Sequence, residues 1–288
     1  MQRVLSTYRY IYQPLSASLL GEISHAEIKH LELYCAPQHF NYRAPEAVRE
    51  LAAILSDHRL EVLSLHSPTE RDLAPGRESG VPISICDTER IRRLDAMDEV
   101  KRALDVAEHI PFRYLVQHLG YGRQMADPKK YDAAFNSLEH LCIFAKARGV
   151  TIALENTPDD LGAPLSLQQF VRETHLNDLK FCFDVGHAHM DRALESGFDA
   201  MRDRISLIHA HDNHGEKDEH LLPQEGTPGG TVDWDAALAG VVSLPEPVPI
   251  VLELKEQSAG APKLDQIRAG FDLVEKKLEG RRARASKS

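Results

Sequence analysis

Six short apolar or β-branched runs each close on a residue able to bind a metal: Leu60–His66, Tyr114–His118, Thr151–Glu155, Lys180–Asp184, Ile205–His209 and Ile250–Glu253. Strands that stop on a ligand, with helical segments between them, are how a parallel β/α barrel builds a site, because the C-terminal ends of its strands share one mouth. Three of the closing residues, Glu155, Asp184 and Glu253, are carboxylates. Brought together alone they would repel and raise one another's pKa; a bound divalent cation removes that cost.

Strand and helix signals alternate along the whole chain of 288 residues, with no linker composition and no internal repeat. That pattern fits one α/β domain rather than two. Val4–Tyr8 reads as the first strand, Leu15–His30 as a helix and Leu31–Cys35 as the second strand. Pro45 opens the next helix, a favoured position for proline. After the third strand, residues 67–87 read as a lid or substrate loop. Thr88–Glu108 has helical spacing, and Asp127-Pro128 caps a helix that runs to Arg148. Helices from Trp234 and over Leu264–Leu278 flank the eighth strand, Pro249–Leu254. The count is eight strand-first units, a single (β/α)8 TIM barrel over residues 1–280. Residues 281–288 form a basic tail, expected to be disordered.

The formal net charge of −10 disfavours a polyanionic partner. The four cysteines, Cys35, Cys86, Cys142 and Cys182, form no CxxC pair and read as reduced thiols of a cytoplasmic protein. No apolar stretch is long enough to span a membrane.

Glu155, Asp184, His209 and Glu253 are the sharpest set. Three carboxylates and one imidazole suit Mn²⁺, Mg²⁺, Co²⁺ or Zn²⁺. Around them lie His66, His118, His187, Asp218 and His220, either as ligands of further zincs or as groups that hydrogen-bond substrate or orient ligands. His189, His211 and His214 read as loop or supporting residues. Arg71, Arg77, Arg123 and Lys255 read as surface charges.

These stretches together resemble the xylose-isomerase-like TIM-barrel superfamily: His66-Ser67-Pro68, His118-Leu119-Gly120, Ala153-Leu154-Glu155-Asn156, Phe183-Asp184-Val185-Gly186-His187, His209-Ala210-His211-Asp212-Asn213, Asp218-Glu219-His220 with Glu225-Gly226, and Val251-Leu252-Glu253. The superfamily includes sugar isomerases and epimerases, dehydratases and endonuclease IV. The resemblance implies two alternatives. In the epimerases and isomerases, residues matching Glu155, Asp184, His209 and Glu253 hold one metal and the two glutamates also move protons. In endonuclease IV, residues matching all nine hold three zincs. Loop 38–43 looks more like the sugar-enzyme branch. The leading expectation is a metal-dependent isomerase or epimerase of a small sugar, keto-sugar or sugar phosphate, with Glu155 and Glu253 catalytic. The alternative is a zinc phosphodiesterase, or another lyase or hydrolase on the same scaffold. A carbohydrate substrate, no nucleic acid and no membrane complete the expectations; a homo-oligomer is left open, since no sequence feature fixes the oligomeric state.

Overall fold

In the computed structural model of the chain, the described residues are 1–71, 80–122, 125–224, 229–256 and 262–285. The apolar runs form eight strands: β1 (Arg3–Ser6), β2 (His30–Tyr34), β3 (Glu61–His66), β4 (Tyr114–Gln117), β5 (Thr151–Glu155), β6 (Lys180–Asp184), β7 (Ile205–Ala210) and β8 (Ile250–Leu252). Each pairs in parallel with its neighbour in sequence, and β8 pairs with β1 to close the barrel. The helices are α1 (Ala17–His25), α2 (Pro45–Asp57), α3 (Arg90–Asp105), α4 (Pro128–Lys146), α5 (Pro164–Thr174), α6 (Val185–Met190), α7 (Leu194–Met201), α8 (Trp234–Val242) and α9 (Leu264–Ala285). No helix among the described residues is long and apolar enough to cross a membrane.

The helices start where the chemistry directs. Pro45, Pro128 and Pro164 sit in first turns, where a missing N–H costs nothing. The Asp127 side chain accepts from the Lys129 amide. α1 ends earlier than the expected His30, because the chain turns at Ala26–Glu27 with Glu27 at φ 60° and His30 already begins β2. At the other end α9 continues to Ala285, where a disordered tail was expected from 281. Arg281 and Arg284 reach toward Asp235 of α8, which gives those turns a partner. Residues 286–288 lie outside the described set. Of the expected lid, Glu70–Arg71 and Val81–Pro82 form a small antiparallel ladder, and Ile83, Ile85 and Cys86 are buried; 72–79 are not described.

The main core lies between barrel and helices, including Leu5, Leu33, Phe170, Phe183 and Phe271. A second cluster fills the barrel itself: Val4, Tyr114, Val116, Ala153, Cys182, Leu207 and Val251. Two one-residue register shifts aim the site. Between β2 and β3 the pairing moves from Leu31↔Val62 to Glu32↔Ser64, and between β6 and β7 from Phe181↔Ile205 to Cys182↔Leu207. An extra residue inverts which side chains face inward from that point on. As a result Ser64 and His66, and Leu207 and His209, face the barrel interior while Leu65 and Ile208 pack outward.

Candidate metal centre

All nine residues singled out in the sequence meet at the C-terminal mouth of the barrel. Their ligand atoms form three groups: His66, His118 and Glu155; Glu155, Asp184, His209 and Glu253; and His187, Asp218 and His220 joined by His211. Cys182 also lies within reach of Glu155 and His209. Ligands about 2.0–2.1 Å from a tetrahedral ion stand about 3.3 Å apart, which is the spacing to look for. In the central group His209 Nδ1 lies 3.3 Å from Glu155 Oε1, 3.4 Å from Glu253 Oε2 and 3.8 Å from Asp184 Oδ2. In the first group Glu155 Oε2 lies 3.3 Å from His66 Nε2 and 3.1 Å from His118 Nε2. The two oxygens of Glu155 are thus divided between two loci.

Burial makes these contacts demanding. Glu155, Asp184, His209 and His211 are fully buried. Glu155 Oε1, Asp184 Oδ2, His209 Nδ1 and both nitrogens of His211 have no hydrogen-bond partner among the described residues. Buried polar atoms left unpaired cost about 1–3 kcal/mol each. Several of them aimed at common points, on groups of both carboxylate and imidazole type, are what divalent-cation loci require. The donor set therefore fits a metal.

Without a metal, the charges pair with one another. Burial pushes Glu155 up, but His209 and His118 outweigh it and hold its carboxyl well below the usual range. Glu253 is opposed by burial in the same way and is held at about 2 by His209, His220 and His66. Burial works against a charge on His220, yet Asp218 and Glu253 raise it to about 9. Burial also opposes a charge on His209 and His187, yet both are raised well above their ordinary values, His209 by Cys182 and the carboxylates of Glu32, Glu155 and Glu253, His187 by Asp184, Asp218 and Glu155.

The local fold fixes each ligand. Asp184 caps α6, its Oδ1 accepting from the His187 amide at 2.6 Å, so one residue ends β6, starts the helix and places His187. Asn156 exchanges two hydrogen bonds with the Asp184 backbone, at 2.7 and 3.0 Å. Asp212 accepts from the amides of Asn213 and Val232 and from Trp234 Nε1, which folds the loop after β7 back on itself.

Four participants were not expected. Glu32 of β2 is fully buried, accepts from Ser64 Oγ at 2.8 Å and contacts His209 Nε2 at 3.1 Å. Its signal was a lone carboxylate in an apolar strand, which reads equally well as a solvent-facing position. His211 was read as a supporting loop residue; it belongs to the third group, and its only signal was the i, i+2 spacing from His209. Tyr8 and Tyr34 line the mouth, Tyr34 stacked on His66 at 4.6 Å and Tyr8 against His220 at 5.0 Å. Burial pushes both phenols up, so they stay neutral hydroxyls. His189 and His214 stay outside the centre, bonded to Thr231 and Glu219. Phe40 and Tyr42 of loop 38–43 are buried in the core, Tyr42 donating to Glu99 at 2.9 Å, so neither is presented as a surface wedge. Arg77 and Arg123, with Glu225 and Gly226, lie outside the described residues.

A cavity of about 490 Å³ opens beside the centre, lined by His118, Thr157, His187 and Asp218 among others. A larger one, about 600 Å³, lies between the loop after β5 and α7 and is lined by none of the nine residues. The neighbourhood of the ligands, rather than size, marks the first as the substrate-sized space.

Residues 20–277 match the family model for the xylose isomerase-like TIM barrel, and the chain belongs to that family. An uncharacterised protein of Methanocaldococcus jannaschii, MJ1614, is 31% identical over 183 residues, which is 60% of this chain and 67% of that one. Among solved structures, a D-tagatose 3-epimerase-like protein superposes with TM-score 0.78 at 21% identity, covering 99% of this chain and 100% of the other. An L-ribulose 3-epimerase superposes with TM-score 0.77 at 15% identity, covering 99% and 97%. The shared feature at these identities is the fold, one that carries sugar epimerases.

Proposed function

We propose that the protein is a divalent-metal-dependent isomerase or epimerase of a small sugar, keto-sugar or sugar phosphate. The observation that carries this reading is the pair Glu155 and Glu253, whose carboxylates stand 3.3 and 3.4 Å from the same His209 nitrogen. Two carboxylates reaching one locus from different strands suit removal of a proton by one and its return by the other. Glu155, Asp184, His209 and Glu253 would hold the cation, which supplies Lewis acidity to a carbonyl and its neighbouring hydroxyl. Both glutamates are held ionised, the form a base needs. His187 and the neutral hydroxyls of Tyr8 and Tyr34 would orient substrate oxygens. Return of the proton to the same carbon from the opposite face is epimerisation; return to the adjacent carbon is isomerisation. The epimerases that share the fold support a carbohydrate substrate.

The test is a panel of ketopentoses, ketohexoses and their phosphates, including L-ribulose and D-tagatose, incubated with protein loaded with Mn²⁺, Co²⁺, Mg²⁺ or Zn²⁺ and followed by NMR. An epimer or isomer formed by wild type and by neither Glu155→Gln nor Glu253→Gln supports the reading. Full turnover in either variant contradicts the proton-transfer role.

One observation favours a second reading. The divided oxygens of Glu155 suit a carboxylate bridging two cations, and a bridging carboxylate is not free to act as a base. Adjacent loci of this kind suit phosphoester hydrolysis. Against duplex DNA as the substrate stand the net charge of −10 and the buried Phe40 and Tyr42. Cleavage of an abasic-site duplex or bis-p-nitrophenyl phosphate by zinc-loaded protein, with no change in any sugar, would move this reading to first place.

A further inference from the structure

We propose that the substrate is larger than one sugar unit: a keto-sugar carrying a second, neutral sugar ring in glycosidic linkage, with that second ring seated in the groove between the loop after β5 and α7. Which end reacts rests on the isomerase or epimerase reading above, which puts the ketone-bearing unit beside the metal ligands. The groove of about 600 Å³ and the cavity of about 490 Å³ beside those ligands share three lining residues, Pro158, Asp159 and Met190. The two spaces therefore adjoin, and a ligand that extends past these residues from the first enters the second. Each lies within the range of about 300–1,000 Å³ that small-molecule sites occupy.

The lining of the groove selects the chemistry. Met125 and Leu165 are 80% and 66% exposed, and they line one concavity with Pro164 and Met190 rather than standing singly on the surface. Apolar side chains gathered in a concavity mark a ligand site. Set among them are three carboxylates, Asp159, Asp160 and Asp191, and no Lys, Arg or His is among the described lining residues. A phosphate or carboxylate would be repelled there. A neutral sugar ring matches both parts of the lining. Its C–H faces rest on the methionine and leucine side chains, and its hydroxyls donate to carboxylate oxygens, which only accept.

The walls of the groove are held in place. Asp159 Oδ1 accepts from the amides of Leu161 and Gly162 at 2.8 and 2.9 Å, and its Oδ2 accepts from the Thr157 hydroxyl at 2.7 Å. Asp160 Oδ2 accepts from the Ala126 amide at 3.2 Å, and the Asp160 carbonyl accepts from Ser166 Oγ at 2.6 Å. One residue thus ties the loop after β4 to the start of α5. On the opposite wall Gly197 of α7 comes so close to α5 that a Cβ there would stand 2.9 Å from Pro164 Cγ. Walls fixed in this way reduce the ordering cost of binding. The amide and hydroxyl donors also take up part of the acceptor capacity of Asp159 and Asp160, which suits these carboxylates to further hydroxyl donors rather than to a metal ion.

The test reads binding and turnover separately. Full-length protein loaded with Mn²⁺ is titrated calorimetrically with D-fructose and with isomaltulose and lactulose, two disaccharides that carry the same ketose under a second ring. At least one disaccharide is expected to bind about tenfold or more tightly than D-fructose. Met125→Glu and Leu165→Glu change exposed side chains, so the fold should survive. Each should remove most of that gain and leave D-fructose binding unchanged. Equal affinity for all three sugars, no binding of any, or the full gain retained in both variants would overturn the proposal. The same mixtures are followed by NMR. Tight disaccharide binding with no sugar turned over counts against the isomerase reading and not the groove, whereas turnover of D-fructose with no gain from a second ring counts against the groove and not that reading.

Discussion

Glu32 Oε2 lies 3.1 Å from His209 Nε2, and both side chains are fully buried. A carboxylate accepts here, so Nε2 carries the hydrogen, and Nδ1 is the nitrogen that faces Glu155, Asp184 and Glu253 and would serve a cation once its own proton is displaced. Ser64 Oγ donates to the same Glu32 oxygen and holds the carboxylate in place. The register shift that turns Ser64 inward therefore bears on a candidate ligand that lies 177 residues from Glu32 in sequence. Replacing Glu32 with Ala is expected to weaken binding at the central locus by about 10–100-fold, the usual effect of removing a group that orients a metal-bound histidine. Competition titrations with Mn²⁺ or Zn²⁺ on wild type and Glu32→Ala measure it, with Glu32→Gln expected to fall between them.

Glu155→Gln and Glu253→Gln keep the size of the side chain and remove the base. Each is expected to lower turnover by at least about 100-fold, the low end of what a positioned acid or base contributes. Far-ultraviolet circular dichroism should be unchanged, because the amide keeps the size of the side chain and the barrel is held by its parallel strand pairing and apolar core. Loss of the fold together with activity would leave no support for a chemical role.

Gly186→Ala tests the seat of His211. The added methyl would stand 2.0 Å from the His211 ring, which is stacked on His220 at 4.1 Å on another side. Overpacking of this kind costs about 1–3 kcal/mol. Urea denaturation should show that loss; wild-type stability in Gly186→Ala would contradict it.

His39 gives a pH dependence away from the metal centre. Burial outweighs the hydrogen bonds to the Gln13 and Tyr10 backbone and lowers it from 6.5 to about 4. The unfolded chain therefore takes up a proton between those values that the folded chain refuses. Stability from this group is complete above about pH 6.5 and is lost as pH falls toward 4, by about 3 kcal/mol over the window. Urea melts of wild type and His39→Asn at pH 7 and 4.5 should show a smaller pH effect in the variant. An equal effect in both would assign it elsewhere.

The ligands at strand ends were legible because the sequence combines two strong signals there, an apolar run and a residue type costly to bury alone. Asp184 and His209 are even direct register partners. Glu32 was hidden because one carboxylate between leucines fits the alternation of a strand with one wet face, and only barrel closure makes that face an interior. His211 was hidden because a residue two past a strand end points wherever the loop sends it, and the loop is set by Asp212, Val232 and Trp234, remote in sequence. Phe40 and Tyr42 lie in a loop rich in polar residues, yet both are buried in the core, where Glu99 of α3 receives the tyrosine hydroxyl. The end of α9 was placed too early because its basic residues read as a tail until Asp235 of α8 supplied a partner.

The most direct test of proton transfer is deuterium wash-in. Metal-loaded protein is incubated in D₂O with each ketose and ketose phosphate of the panel, and the recovered sugar is examined by NMR and mass spectrometry. The expected result is deuterium at a carbon beside the carbonyl, with wild type and not with Glu155→Gln or Glu253→Gln. Epimer or isomer formed with no solvent deuterium would contradict glutamate-mediated exchange, and no exchange with any sugar, alongside cleavage of a phosphodiester, would contradict the isomerase reading itself.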